Sequence, residues 1–293
     1  MPVYQNRYNT WEGIPQPFIR RLLAFPRYSY MQIKGQKFVF MVFGMGWLPF
    51  IMFLIYIYVR VNVKLLENLR MSPEQLPPVN AQFFFVFLIV QLPFLLFFTL
   101  VIGPPLISRD IRHKALPMIL SKPISRWEYL LGKYLVLFLI LSVFTWFQGL
   151  LLFVSQTTAV PRASEWRMSF WSDSFWIMPK IIIFSILCIT TLNLLVMVFS
   201  SLTSNYRFAT AAVIMFIIGG IIIGGMASEI LHSNRWMTLS VATSIISIGY
   251  WLFGLKNGTG VPPGYAWMGI LVLWAGSLWI LSRRIKAFEI YRE

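Results

Sequence analysis

Long apolar runs alternate with short polar stretches along the whole chain, and this alternation predicts its architecture. The runs at 38–59, 82–107, 129–154, 175–200, 208–226 and 265–281 are each long enough for a helix to cross a bilayer, which takes about 20 residues. A membrane β-barrel would instead show apolar and polar residues alternating within segments of about 10 residues. These runs are continuously apolar, so the expected fold is an all-α polytopic membrane protein with six transmembrane helices. A further apolar stretch at 240–255, between Arg235 and Lys256, is too short to span at about 1.5 Å per residue. It is expected as a re-entrant or interfacial segment on the outer side, before the sixth span. The organisation is therefore an N-terminal segment, 1–37, and a single six-span domain, 38–293.

Residues that break the apolar pattern refine this picture. Gly44, Gly46 and Pro49 in the first span allow close helix approach and a kink whose freed carbonyl a neighbour can satisfy. Pro104-Pro105 is expected to stop the second span. In the first outer loop, Ser72-Pro73-Glu74-Gln75 reads as a capped single turn. Trp166, Trp171 and Trp176 read as anchors at the membrane boundary, and Lys180 as an interface residue. Asn193 fits a bridge between helices better than a substrate path. Gly220 and Gly224 form a small-xxx-small pattern that suits either packing within the chain or a seam between two copies. Ahead of the first span, Phe18, Leu22 and Phe25 share one stripe with Arg20 and Arg21 off it. That pattern predicts a short basic amphipathic helix lying in the headgroup layer and ending at Pro26.

Charge sets the orientation. The chain is 58% hydrophobic and 12% charged, with mean hydropathy +0.70 and a formal net charge of +15. Such a charge would suggest nucleic acid in a soluble protein, but its distribution argues for a membrane instead. With alternating spans and the N-terminus inside, 17 of the 25 Lys and Arg residues fall on the cytoplasmic side. The ten acidic residues divide evenly. The positive-inside rule then expects both termini to be cytoplasmic. Residues 1–37 are basic without a continuous apolar core, so they are not expected to be a cleaved signal peptide. The single Cys188 allows no intrachain disulfide.

The chemistry of the chain is sparse. Two histidines and one cysteine offer no metal-ligand spacing, and there is no HExxH, G-x-S-x-G or phosphate-binding G-x-x-x-x-G-K-[ST] motif. No acidic residue falls in the middle of a span, where a proton-coupled transporter would need one. No catalytic residue, metal site or cofactor is expected on this chain, which is not expected to be an enzyme or to hydrolyse ATP.

One polar stretch is denser in helix signals than the rest. From Ser108 the sequence reads SRDIRHKALPMILSKPISRWEYLLGK. Ser108 suits an N-cap, and Leu116, Ile119 and Leu120 share a face of a helix over 108–121. Pro123 would end that helix, and Ser125 to Glu128 forms an S-x-x-E capping box opening the third span. Such an apolar face suits a groove on another protein or the lipid headgroups, and spacing alone leaves both open.

The same stretch resembles the cytoplasmic segment of ABC-2-type permeases, the membrane subunits of ATP-binding cassette exporters. The resemblance rests on Asp110, Leu116, Leu120-Ser121, Pro123-Ile124-Ser125-Arg126 and Leu130-Leu131-Gly132-Lys133. Lys114-Ala115 departs from the Gly-Thr of many members. The resemblance implies that 108–128 holds a coupling helix that docks in a cleft of a separate cytoplasmic ATPase, with Asp110, Arg112, Leu116, Leu120, Pro123 and Arg126 in contact. Ser204, Asn205, Tyr206 and Arg207, between the fourth and fifth spans, would make a second contact. The helix of Phe18, Arg20, Arg21, Leu22 and Phe25 would be the family's elbow helix. ATP and Mg would belong to the partner ATPase, and a second permease copy or paralogue would complete a dimer in a bacterial inner membrane. The implied function is export driven by that ATPase. The alternative is a mechanotransmission or assembly role that acts on an extracytoplasmic partner without passing a substrate.

Overall fold

Apolar helices need polar residues chiefly at their ends and breaks, and those residues set the boundaries in this fold. A computed structural model describes residues 17–34, 43–62, 66, 76–115, 125–159 and 174–289, without the side chains of 21, 28–34 and 285–289. Its elements are α1 (Phe18–Lys34), α2 (Leu48–Val61), α3 (Ala81–Ile102), α4 (Pro104–Arg112), α5 (Arg126–Phe144) and α6 (Trp146–Ala159). They continue with α7 (Ile177–Leu202), α8 (Tyr206–Ile230), a 3-10 helix (Asn234–Leu239), α9 (Val241–Phe253) and α10 (Pro263–Glu289). Six stretches are long and apolar enough to cross a membrane: Phe43–Val61, Ala81–Arg112, Arg126–Thr158, Ile177–Leu202, Tyr206–Ile230 and Pro263–Arg284. This is the architecture of an all-α, multi-pass membrane protein. The expected 72–75 turn, Trp166, Trp171, Leu116, Leu120 and Pro123 lie outside the described residues, as do both chain ends.

The bundle is built around α7, which packs on α3, α4, α5, α6, α8, α9 and α10. Because lipid tails are as apolar as leucine, burial alone cannot order such helices, and polar rungs help to fix their register. Asn193 donates from Nδ2 to the Tyr134 carbonyl at 2.9 Å, the Tyr134 hydroxyl meets Thr190 Oγ1 at 2.9 Å, and Trp274 Nε1 donates to Thr191 Oγ1 at 3.0 Å. These bonds tie α5 and α10 to α7. Asn193 is thus a helix bridge, as its sequence context favoured.

The first span breaks where its glycines and proline predict. Helix from Phe43 gives way to a turn at Gly46-Trp47, and α2 begins with Pro49 in its first turn, where a missing N–H costs little. The freed Gly46 carbonyl accepts from Gln91 Nε2 at 3.0 Å and from Gln148 Nε2 at 3.3 Å. A Cβ on Gly46 would come within 2.7 Å of Phe98 and Phe144, which themselves stack at 4.3 Å. The third span breaks beside them, at Thr145 between α5 and α6.

After α8 the chain reverses and the 3-10 helix runs back along it. The Trp236 carbonyl lies against Gly224 and the Leu239 carbonyl against Gly220, where an added Cβ would approach to 3.2 and 2.9 Å. The small-xxx-small pair therefore serves packing within the chain. Ser240 caps α9, accepting from Thr243 N at 3.3 Å. α9 then returns along α3 and α7, seating Gly249 against Phe85 and Phe184 and ending at a left-handed Gly254, φ 71°. The stretch at 240–255 is thus a packed half-length helix.

Sequence expectations at four breakpoints are refined or corrected. Pro104-Pro105 ends α3 at Ile102, but both prolines also fall in the first turn of α4, where they remove no bond that α4 requires, so a new helix begins at once. Ser108 is consequently inside α4 and is not its N-cap; its Oγ donates to the Pro104 carbonyl at 2.6 Å. The helix expected from 108 to 121 is also not continuous, since α4 ends at Arg112 and Lys114 is left-handed at φ 51°. Finally, α1 passes through Pro26 and reaches Lys34. Phe25 lodges over Gly132 and meets the Tyr129 ring edge-on at 6.0 Å. That packing on α5 supports α1 across the one hydrogen bond that Pro26 cannot make.

Candidate functional site

The end of the bundle that gathers α4, the start of α5, the α7–α8 turn and the last described turns of α10 is rich in exposed cations. Its geometry begins at Gly103. A Cβ there would collide with Val196 of α7, so only glycine lets α3 pass into α4 this close to α7. Ser200 of α7 then serves the first turns of α4. Its Oγ donates to the Pro104 carbonyl at 2.6 Å and accepts from Ile107 N at 3.2 Å and Ser108 N at 3.0 Å. Because Ser200 is fully buried, these three bonds are made without competition from water.

One turn further along α4, Asp110 is committed within the chain. Its Oδ2 lies 2.8 Å from Lys133 Nζ and accepts from the Tyr129 hydroxyl at 2.8 Å. The Asp110 side chain is only 20% exposed and that of Lys133 only 12%. Tyr129 is fully buried, with Phe25 of α1 on its ring. Asp110 therefore joins α4, α5 and, through Tyr129, α1. On the other side of the gap, Ser125 accepts from Glu128 N at 3.2 Å, and Glu128 Oε2 accepts from Ser125 N at 2.8 Å. The capping box read from the sequence is thus formed, and it fixes where the chain re-enters α5.

The two segments that the family resemblance pairs lie side by side. The Arg109 guanidinium stands 5.9 Å from the Tyr206 ring centre, and that of Arg207 6.0 Å from it. Asn205 caps α8 by accepting from Arg207 N at 3.1 Å, and the Thr203 hydroxyl donates to the Asn205 carbonyl at 3.1 Å. Ser204 is exposed in the turn between them. From α10, Arg284 donates to the Leu202 carbonyl at 3.4 Å.

Of the residues singled out in the sequence, Asp110 is half-buried and paired, whereas Arg112 and Arg207 are exposed and Arg126 opens α5. In α1, Phe18 and Arg20 are exposed, while Leu22 and Phe25 are half-buried. Tyr129, Lys133 and Ser200 carry much of the geometry and were not singled out. Lys133 and Gly132 stand in the Leu-Leu-Gly-Lys run, but nothing in that run marks Asp110 as the partner, because no local periodicity relates residues 23 apart on separate helices. Ser200 gave no sequence signal, because a serine in an apolar helix usually bonds back to its own chain.

Among the described residues there is no cluster of His, Cys, Asp and Glu able to hold a metal ion. No protein-family model matches this chain, and no curated protein matches it in sequence.

Proposed function

We propose that this chain is the transmembrane permease subunit of an ATP-binding cassette transporter of the ABC-2 type, coupling ATP hydrolysis by a separate subunit to export. The observation that carries the reading is the gathering of both resemblance-bearing segments at one basic end. α4 and the α7–α8 turn touch through Arg109 and Tyr206, and the capping box holds the far flank of the stretch containing Leu116 and Leu120. A displacement of that stretch would be passed to α4 and α5 together, because Asp110, Lys133 and Tyr129 join them. Ser200 would then transmit it to α7, the centre of the bundle. This is coupling through a contiguous set of rigid elements.

On this reading the basic end is cytoplasmic, both termini lie on that side, and the 3-10 helix with α9 is a re-entrant hairpin entering from outside. α1 is the elbow helix, and the 108–128 region carries the coupling segment. The permease would work as a dimer with two cassette ATPases in a bacterial inner membrane. Reconstitution with a cassette ATPase encoded beside this chain tests the proposal. ATPase activity in proteoliposomes should rise with the exported compound. A response only to an extracytoplasmic protein would identify mechanotransmission instead, and an ATPase indifferent to this chain would refute both.

A further inference from the structure

The exposed cations around Tyr206 have no counter-charge among the described residues. Arg109 and Arg112 occupy the last turn of α4, one turn apart, and both are exposed. Arg207 is exposed at the start of α8, and Arg109 and Arg207 both stand about the Tyr206 ring, at 5.9 and 6.0 Å. Asp110 is the acid nearest in sequence, and Lys133 and Tyr129 already occupy it. None of the three arginines makes an ion pair among the described residues. The sequence offers no Asp or Glu between 111 and 127 or between 174 and 228. Like charges held this close repel, and an anion between them would relieve the repulsion. Guanidinium forks match phosphate oxygens in pairs, with a planar specificity that lysine lacks.

The position of the cluster suggests which phosphate it would meet. Directly after Arg207, α8 presents a lipid-compatible stripe of Phe208, Met215, Ile222 and Met226, exposed by 69%, 70%, 54% and 58%. These residues recur at helical spacing on one side of a stretch long and apolar enough to span a membrane. A phosphate at Tyr206 would therefore sit at the head of an apolar wall, which is the layout of a phospholipid lying along a helix.

We propose that Arg109, Arg207 and the Tyr206 ring, with Arg112 beside them, form a binding site for the headgroup of an anionic phospholipid whose acyl chains lie along the exposed face of α8. The site would anchor the α4–α8 corner to one leaflet and so tie its position to the lipid composition. This inference stands on the charge and surface of the corner and does not require the permease reading.

The test uses the full chain purified in detergent and exchanged into micelles containing equal phosphatidylglycerol and phosphatidylcholine, with retained lipid counted by native mass spectrometry. The wild type should retain phosphatidylglycerol preferentially. The R109Q/R207Q variant should lose that preference about 25-fold, given that each basic residue near an anionic surface contributes roughly fivefold. R235Q, at the opposite end of the bundle, should keep it. If R109Q/R207Q does not fold, R109K/R207K supplies the comparison, since it keeps the charge while losing the paired donors and should weaken retention severalfold. Equal retention by wild type and variants would overturn the proposal. So would displacement of all retained anion by inorganic phosphate with no preference between the two lipids, which would identify a free-anion site. Loss of a copurifying ATPase in R109Q/R207Q with lipid retention unchanged would also overturn it, by making the corner a protein dock.

Discussion

Helices α7 and α8 follow one another in the chain, are 26 and 25 residues long, and are both strongly apolar. In the fold they are opposites. The apolar window of α7 is 78% buried and that of α8 22%. The difference lies in the polar minority. α7 carries Thr190, Thr191, Asn193 and Ser200, each bonded to another helix, whereas Ser228 and Thr210 of α8 bond back to α8 itself. In a lipid solvent a leucine has nearly the same neighbours inside or outside, so apolar content marks a membrane helix without saying which face is covered. Cross-helix hydrogen bonds and close glycine contacts mark the covered face.

Substitutions that exchange these roles would break the comparison. The largest effect is expected for Leu195→Ala, at a site 2% exposed in the centre of α7. The cavity should cost about 2–5 kcal/mol, measured by denaturant unfolding in mixed micelles. Within α8 itself, Gly220→Leu should cost about 1–3 kcal/mol, because the Leu239 backbone carbonyl 2.9 Å from the new Cβ cannot rotate aside. Its neighbour Gly219 has nothing within 4 Å, so Gly219→Leu should leave the unfolding midpoint nearly unchanged. Equal losses for the two glycines would show that the hairpin does not pack on α8 as described. The smallest effect belongs to Met215→Ala on the open face of α8, which should stay within about 0.5 kcal/mol in the same assay.

The contrast also explains what the sequence made legible. The six spans were readable because bilayer thickness fixes a length that few other structures share. The break at Gly46 was readable because glycine and proline leave a carbonyl that must be satisfied, although the glutamines that satisfy it, Gln91 and Gln148, come from distant spans. The Ser125 capping box was readable because both partners lie within one turn. Continuation of the helix through Pro26 was not, since it depends on Phe25 finding Gly132 more than 100 residues away. Likewise, Pro104-Pro105 ended α3 as read, but the immediate start of α4 was not legible, since it depends on Gly103 seating against Val196 of α7. At the basic end, the local signals around Asp110 were visible, but its commitment to Lys133 and Tyr129 depends on how α4 lies against α5.

The permease reading rests on the stretch between α4 and α5 acting as a dock for an ATPase, and copurification tests that most directly. The full chain would be coexpressed with a candidate cassette ATPase and captured through a tag on the membrane subunit. The wild type should retain the ATPase through detergent extraction. The Leu116→Asp, Leu120→Asp double variant should insert in the membrane at normal levels and lose the ATPase. An ATPase that stays bound to the correctly inserted double variant would contradict the proposed coupling role.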